Sequence, residues 1–193
     1  MSPATAAERT NDTWLRNYYA GRAVFSLLWV LLAYTVGSAH PAVSAVLIVV
    51  YPAWDCLANY FDAMRSGGLR ANPSQRLNVF VSALVTVAVG ATVARDFHAV
   101  IGIIGIWASL TGILQLATAL RRWKTAGAQW PMILSGAQSA LAGAFFVKMG
   151  FDAATRPSVT SVAGYAAVGA VYFAISAAAL SLSVRKRTAS GTE

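Results

Sequence analysis

Charge is what this chain has least of: 11% of its residues are charged, under half the share of an ordinary soluble domain. The shortage excludes a soluble helical bundle, which needs polar stripes every third or fourth residue. Cysteine occurs once, at Cys56, so no internal disulfide can form, and its apolar neighbours make it a buried small hydrophobe. The two histidines, His40 and His98, and the scattered carboxylates give no metal-ligand spacing, so no metal is expected. Gly-rich phosphate loops, G-x-S-x-G elbows and H-E-x-x-H motifs are all missing, so neither catalytic residues nor a cofactor are expected. The net charge of +8 comes without a long basic polar segment or an aromatic-basic groove, and nucleic acid is set aside as a partner. A typical cleavable signal is also missing, so the first apolar run reads as an uncleaved anchor.

What fills the chain instead is apolar runs of about twenty residues, the length that spans a bilayer core as a helix. They predict helices over about 18–36, 41–63, 77–94, 98–120, 131–149 and 159–183. The expected fold is all-α: a polytopic membrane protein whose six transmembrane helices form three consecutive helical hairpins. Residues 1–17 precede this domain as a cytoplasmic segment with an interfacial helix, because Trp14 and Tyr18 would share a face. Residues 18–183 form the membrane domain, and 184–193 a cytoplasmic tail. Twelve basic residues fall on one side of this arrangement, among them Arg9, Arg16, Arg22, Arg65, Arg121, Arg122 and Arg185 to Arg187. Three fall on the other: Arg95, Lys148 and Arg156. Basic residues in short loops resist translocation, which puts both termini in the cytoplasm.

The second helix is the unusual one. Pro52 inside it removes a backbone hydrogen bond and predicts a kink. Steps of four and three place Tyr51, Asp55, Asn59 and Asp62 on one face. An uncompensated aspartate at the depth of Asp55 would cost about 2.5–3.5 kcal/mol, so it should face other helices or a water-filled cavity. Its partner is expected on the first or fourth helix. Asp62, nearer the interface, is expected to be solvated or paired with Arg65; Arg22 pairs with Asp62 or snorkels to phosphate. Gln115 is placed to join this lining from the fourth helix. Two readings stay open for the stripe, a transport site or interhelical hydrogen bonding. Gly102, Gly105 and Ser109 in the fourth helix, and Ser135, Gly136, Ser139 and Gly143 in the fifth, read as packing ridges of small residues. His40 and His98 lie in turns away from the basic loops, as solvated residues or acid sensors.

Laying residues 51–65 over 107–121 pairs Tyr51 with Trp107 and Asn59 with Gln115, the mark of a repeated hairpin. The stretch IGIIGIWASLTGILQLATALRRWKTAGAQWPMILSGAQSALAGAFF, with Trp107, Gly112, Gln115, Ser135, Gly136 and Gly143, resembles the repeat junction of the HdeD-like family of bacterial membrane proteins. The likeness extends over about 76–149. It implies a six-helix protein of the bacterial inner membrane with lipids as partners. The resemblance further implies a structural or acid-stress-protective role of unestablished mechanism, and it leaves homo-oligomerisation open. The acidic segment YPAWDCLANYFDAMRSGG departs from the repeat and weakens a direct transfer of the acid-stress role; the alternative is a small transporter or channel for protons, ions or a small solute that uses the polar face of the second helix.

Overall fold

Proline marks where two of the helices begin, because the N–H it lacks would be unpaired in a first turn anyway. In the computed structural model, which describes residues 6–124 and 129–189 and side chains over 12–124 and 129–183, α2 is Pro41–Arg65 and α3 is Pro73–Thr92. The fourth helix, α4 (Phe97–Arg122), starts on Asp96, whose carboxylate accepts the Ala99 N–H at 3.0 Å as an N-cap. The remaining helices are α1 (Ala6–Leu32), α5 (Gln129–Phe151) and α6 (Val159–Ala189), with a π-helical turn over Ala33–Gly37. All the described elements are helical, and six are long and apolar enough to cross a membrane. Their outer faces carry exposed Leu27, Leu31, Phe80, Val87 and Leu141, as lipid contact requires.

Several boundaries differ from expectation. The first helix starts at Ala6 and runs unbroken into the span, so Trp14 and Tyr18, their rings stacked 6.5 Å apart, belong to it rather than to a separate interfacial helix. The third helix begins four residues early, at Pro73. The sixth continues to Ala189; residues 190–193 and the side chains of Arg9 and Arg185 to Arg187 lie outside the described part. The second helix stays a single element through Pro52. Proline there leaves the Ile48 carbonyl without its usual donor. One residue before it, the Trp29 indole donates to the Leu47 carbonyl at 2.7 Å, so α1 braces this turn. At the π-turn a Cβ on Gly37 would lie 2.9 Å from Leu47 Cδ1, so a larger residue there would require the Leu47 side chain to shift.

The helices are consecutive hairpins along the chain, but their tightest packing joins neighbouring hairpins. Packing is extensive between α2 and α3, α4 and α5, and α6 and α1, and slighter within α1–α2, α3–α4 and α5–α6. The alternation closes the six helices into a ring. At the α4–α5 seam the backbones nearly touch: a Cβ on Gly112 would lie 2.6 Å from the Gly136 carbonyl oxygen, and one on Gly105 2.7 Å from that of Gly143. Ser109 Oγ donates to the Ala140 carbonyl at 3.2 Å. Gly102 works differently, because its own Cβ would point into open space. Gly150, which the sequence reading left out, is the tight member there, its Cβ position 2.8 Å from Gly102 Cα.

The ring repeats itself in side-chain detail. Trp107 on α4 donates to Ser82 on α3 at 2.9 Å, and Tyr165 on α6 donates to Ser139 on α5 at 3.2 Å; Tyr51 on α2 and Ser26 on α1 hold the corresponding positions of the first hairpin. Each hairpin thus places an aromatic residue and a serine at equivalent positions, about 56–58 residues apart along the chain, and in the second and third the two are hydrogen-bonded. Ile48, Ile104 and Val162 recur in the same way, all fully buried, as do Ala33, Val89 and Phe146. The three hairpins thus share a spacing of aromatic, serine and buried apolar positions.

Candidate functional site

A cavity of about 80 Å³ lies inside the ring, with residues from all six helices in its wall. A water needs roughly 10–15 Å³ of such space, so there is room for several. Its floor is the aromatic layer near mid-span. The Tyr51 ring lies edge-on to Trp107 at 5.6 Å and to Tyr165 at 6.4 Å. Beyond the floor the bundle is filled by Ile48, Val100, Ile104, Phe146 and Val162, and among the described residues the polar lining of this cavity ends at the floor. In the other direction the wall extends to Asp62, Arg122 and Gln129, beside the basic loops. The cavity therefore occupies one half of the bundle, the half with the basic ends.

Tyr51, Asp55, Asn59 and Asp62 all line it, as do Gln115 and Arg22. The stripe on α2 faces inward because the opposite face of that helix is the apolar one: Val46, Val50, Leu57 and Phe61 are exposed. Asp55 is buried and held from two sides. Arg22 on α1 donates Nη2 to Oδ1, and Ser82 on α3 donates to Oδ2 at 3.1 Å. Ser82 in turn accepts the Trp107 indole N–H, so the carboxylate is linked to the aromatic floor. Asn59 does not reach the carboxylate; its amide donates to the Asp55 backbone carbonyl at 2.9 Å. Gln115 lines the wall and donates to the Met132 carbonyl at 3.0 Å, across the α4–α5 seam.

Two expected pairings are replaced. Arg22 meets Asp55 rather than Asp62 or the interface, because it lies level with Asp55 and four residues after Tyr18, whose hydroxyl accepts from Nη1 at 3.0 Å. Asp62 is neither solvated nor paired with Arg65. It is 3% exposed and takes a two-pronged bond from Arg122 on α4, Nη2 to Oδ2 at 2.9 Å and Nη1 to Oδ1 at 3.3 Å. Gln75 adds a donor at 3.2 Å, Arg121 donates to Gln75 at 2.7 Å, and Arg122 also reaches Ser66 at 3.1 Å. This network ties the basic ends of α2, α3 and α4 together.

Polar residues that the sequence reading did not assign to the site add to the wall, among them Asn78, Thr111, Arg122, Gln129 and Tyr165, with Ser82 behind it. Asn78 and Ser82 are four apart in an apolar helix, the signal that marked the stripe on α2 and that was available here too. The small-residue ridges separate by role: Gly105, Ser109, Gly136 and Gly143 lie on the α4–α5 seam, whereas Ser135 and Ser139 also line the cavity. His40 is exposed and His98 half-buried, both distant from the cavity lining. Cys56 is half-buried on α2, its thiol 3.4 Å from the Val79 carbonyl.

Two arginines and two aspartates line the cavity, so its charged groups balance. Amides and hydroxyls supply the rest of its polarity, and eight aromatic rings from Tyr18 to Phe173 contribute faces and edges. Such a wall can hold a small polar solute by hydrogen bonds and ring contacts.

Residues 97–148 match a short repeat of unknown function (DUF308), the repeat found in HdeD-like proteins. The matched stretch is α4 with nearly all of α5, the pair joined by the glycine seam. It is narrower than the likeness read from the sequence, which began at Arg76. No curated protein and no solved structure matches the chain.

Proposed function

We propose that the protein is a bacterial inner-membrane carrier for a small polar solute, with both termini in the cytoplasm and the cavity as its cytoplasm-facing binding site. The observation that carries this reading is a polar cavity that reaches the buried carboxylate of Asp55 and stops at a packed aromatic floor. A continuous pore would need polar lining on both sides of that floor. A half-length cavity suits a carrier that opens to one side at a time. A structural or stress-protective role, which the family likeness implies, asks for no cavity. It would be served as well by an apolar core, because a buried ion pair replaced by packed apolar groups is often no less stable.

Osmotic swelling of proteoliposomes tests the reading. The panel is urea, glycerol, glycine betaine and methylguanidinium chloride, and the control is Thr111→Trp, which fills the cavity from a buried position on its wall. The wild-type protein is expected to speed swelling in at least one solute, and Thr111→Trp to abolish the gain while remaining folded. Equal rates for both proteins across the panel would overturn the carrier reading and leave the structural one.

A further inference from the structure

Arg22 is buried in the manner of a bound ligand. Its guanidinium carbon lies 4.4 Å over the Phe173 ring and 5.7 Å from the Tyr18 ring centre. One terminal nitrogen donates to the Asp55 carboxylate and the other to the Tyr18 hydroxyl. A carboxylate, an aromatic face and a neutral acceptor are the groups that recognise a flat organic cation. The fit is incomplete, because Arg22 Nε is buried with no hydrogen-bond partner. The guanidinium is also part of the cavity wall, so a solute in the cavity meets it directly.

We propose that Asp55, Tyr18 and Phe173 form a binding site for a small guanidinium or alkylammonium cation, and that Arg22 is its tethered resident, displaced when the solute binds. This rests on the solute-carrier reading and names its substrate class. Charge balance dictates exchange rather than addition. With Arg22 and Arg122 matched by Asp55 and Asp62, a further cation gains a carboxylate only if Arg22 leaves. The exit is short. Side chains on a helix lean towards its N-terminus, which for α1 is the basic end, where phosphate and water would satisfy all of the guanidinium N–H groups. Asp62 cannot serve in the same way, because Arg122 grips both of its oxygens and Gln75 adds a third bond. Asp55 is the exchangeable carboxylate of the two.

Equilibrium binding of radiolabelled methylguanidinium to the purified full chain in detergent tests the proposal. Arg22→Ala removes the resident cation and is expected to bind the probe at least tenfold more tightly than wild type. Arg22→Lys keeps a charge that is too short and compact to reproduce the fork, and is expected to fall between the two. Asp55→Asn in either background should lose the gain, and Phe173→Leu should weaken binding several-fold. The Arg22→Lys protein retains a cation for Asp55, so the test survives if Arg22→Ala does not fold. Failure of both Arg22 variants to bind more tightly than wild type, or tight binding that persists with Asp55→Asn, would overturn the proposal. Swelling in a neutral solute together with that failure would leave the carrier reading intact, so the two ideas fail separately.

Discussion

Among single residues, Asp55 and Ser82 concentrate the energetics. Asp55 takes one bond from Arg22 and one from Ser82, and Ser82 takes another from Trp107. Removing one partner of a buried pair strands the other, at a cost of about 3–5 kcal/mol. The cavity gives some hydration, so Asp55→Ala is expected at the lower end of that range, read as a lower thermal unfolding midpoint in detergent. Replacing both partners, Arg22→Met with Asp55→Leu, should recover most of the loss and abolish solute flux. A double mutant as unstable as Asp55→Ala would show that the pair itself holds the bundle together. Ser82→Ala separates the local network from general helix effects. It leaves the Trp107 N–H and one Asp55 oxygen short of a partner, at roughly 1–3 kcal/mol. Thr86→Ala, one turn along the same helix, removes only a hydroxyl that donates to the Ser82 backbone carbonyl at 2.7 Å and should lie close to wild type. Equal destabilisation by the two substitutions would contradict the network.

For the helices, the α4–α5 seam decides what substitution is tolerated. A Cβ at Gly105, Gly112 or Gly136 would meet the backbone of the facing helix, which cannot yield as a flexible side chain does. Gly112→Val is therefore expected to cost at least the roughly 1–3 kcal/mol of ordinary overpacking, and to lower the unfolding midpoint. Gly102→Ala and Gly90→Ala point into open space and should leave the midpoint unchanged or slightly raised, since alanine is the better helix former. A Gly102→Ala protein as unstable as Gly112→Val would contradict the open position of the Gly102 Cβ. The small-residue spacing was legible in the sequence as a ridge. Which of its members touch backbone was not, because every small residue on one face of a helix looks equivalent until the partner helix has a position.

For the whole molecule, charge placement predicts an orientation, with the basic helix ends in the cytoplasm. Ser66 lies exposed at the basic end of α2, and Asp152 lies exposed in the turn between α5 and α6 at the opposite end. In a Cys56→Ser background, a single cysteine at Ser66 is expected to resist a membrane-impermeant thiol reagent in intact cells and to react in inside-out vesicles. One at Asp152 should do the reverse. Labelling of Ser66→Cys from outside, on verified folded protein, would invert the topology and turn the cavity away from the cytoplasm. The ring makes a related point. Hairpin order was readable from turns and apolar runs, yet the strongest contacts join different hairpins. Short loops fix which helices follow one another, while the close approach of small residues fixes which ones pack.

The sequence by itself determined that the chain is helical and crosses a membrane six times, because span length, backbone satisfaction and loop charge act locally and need no knowledge of neighbours. It also determined that one face of α2 is polar and inward, since helical periodicity is a property of a single element. The repeat was visible only where bulky residues coincided, Tyr51 with Trp107 and Asn59 with Gln115. Its third member, Tyr165, emerged from its bond to Ser139. Only the tertiary structure decided that Asp55 belongs to Arg22 and Asp62 to Arg122, pairs separated by 33 and 60 residues along the chain. A charge in an apolar helix announces that it needs a partner. Which partner it meets depends on the rotation and depth of another helix, and those are set by packing around the whole ring.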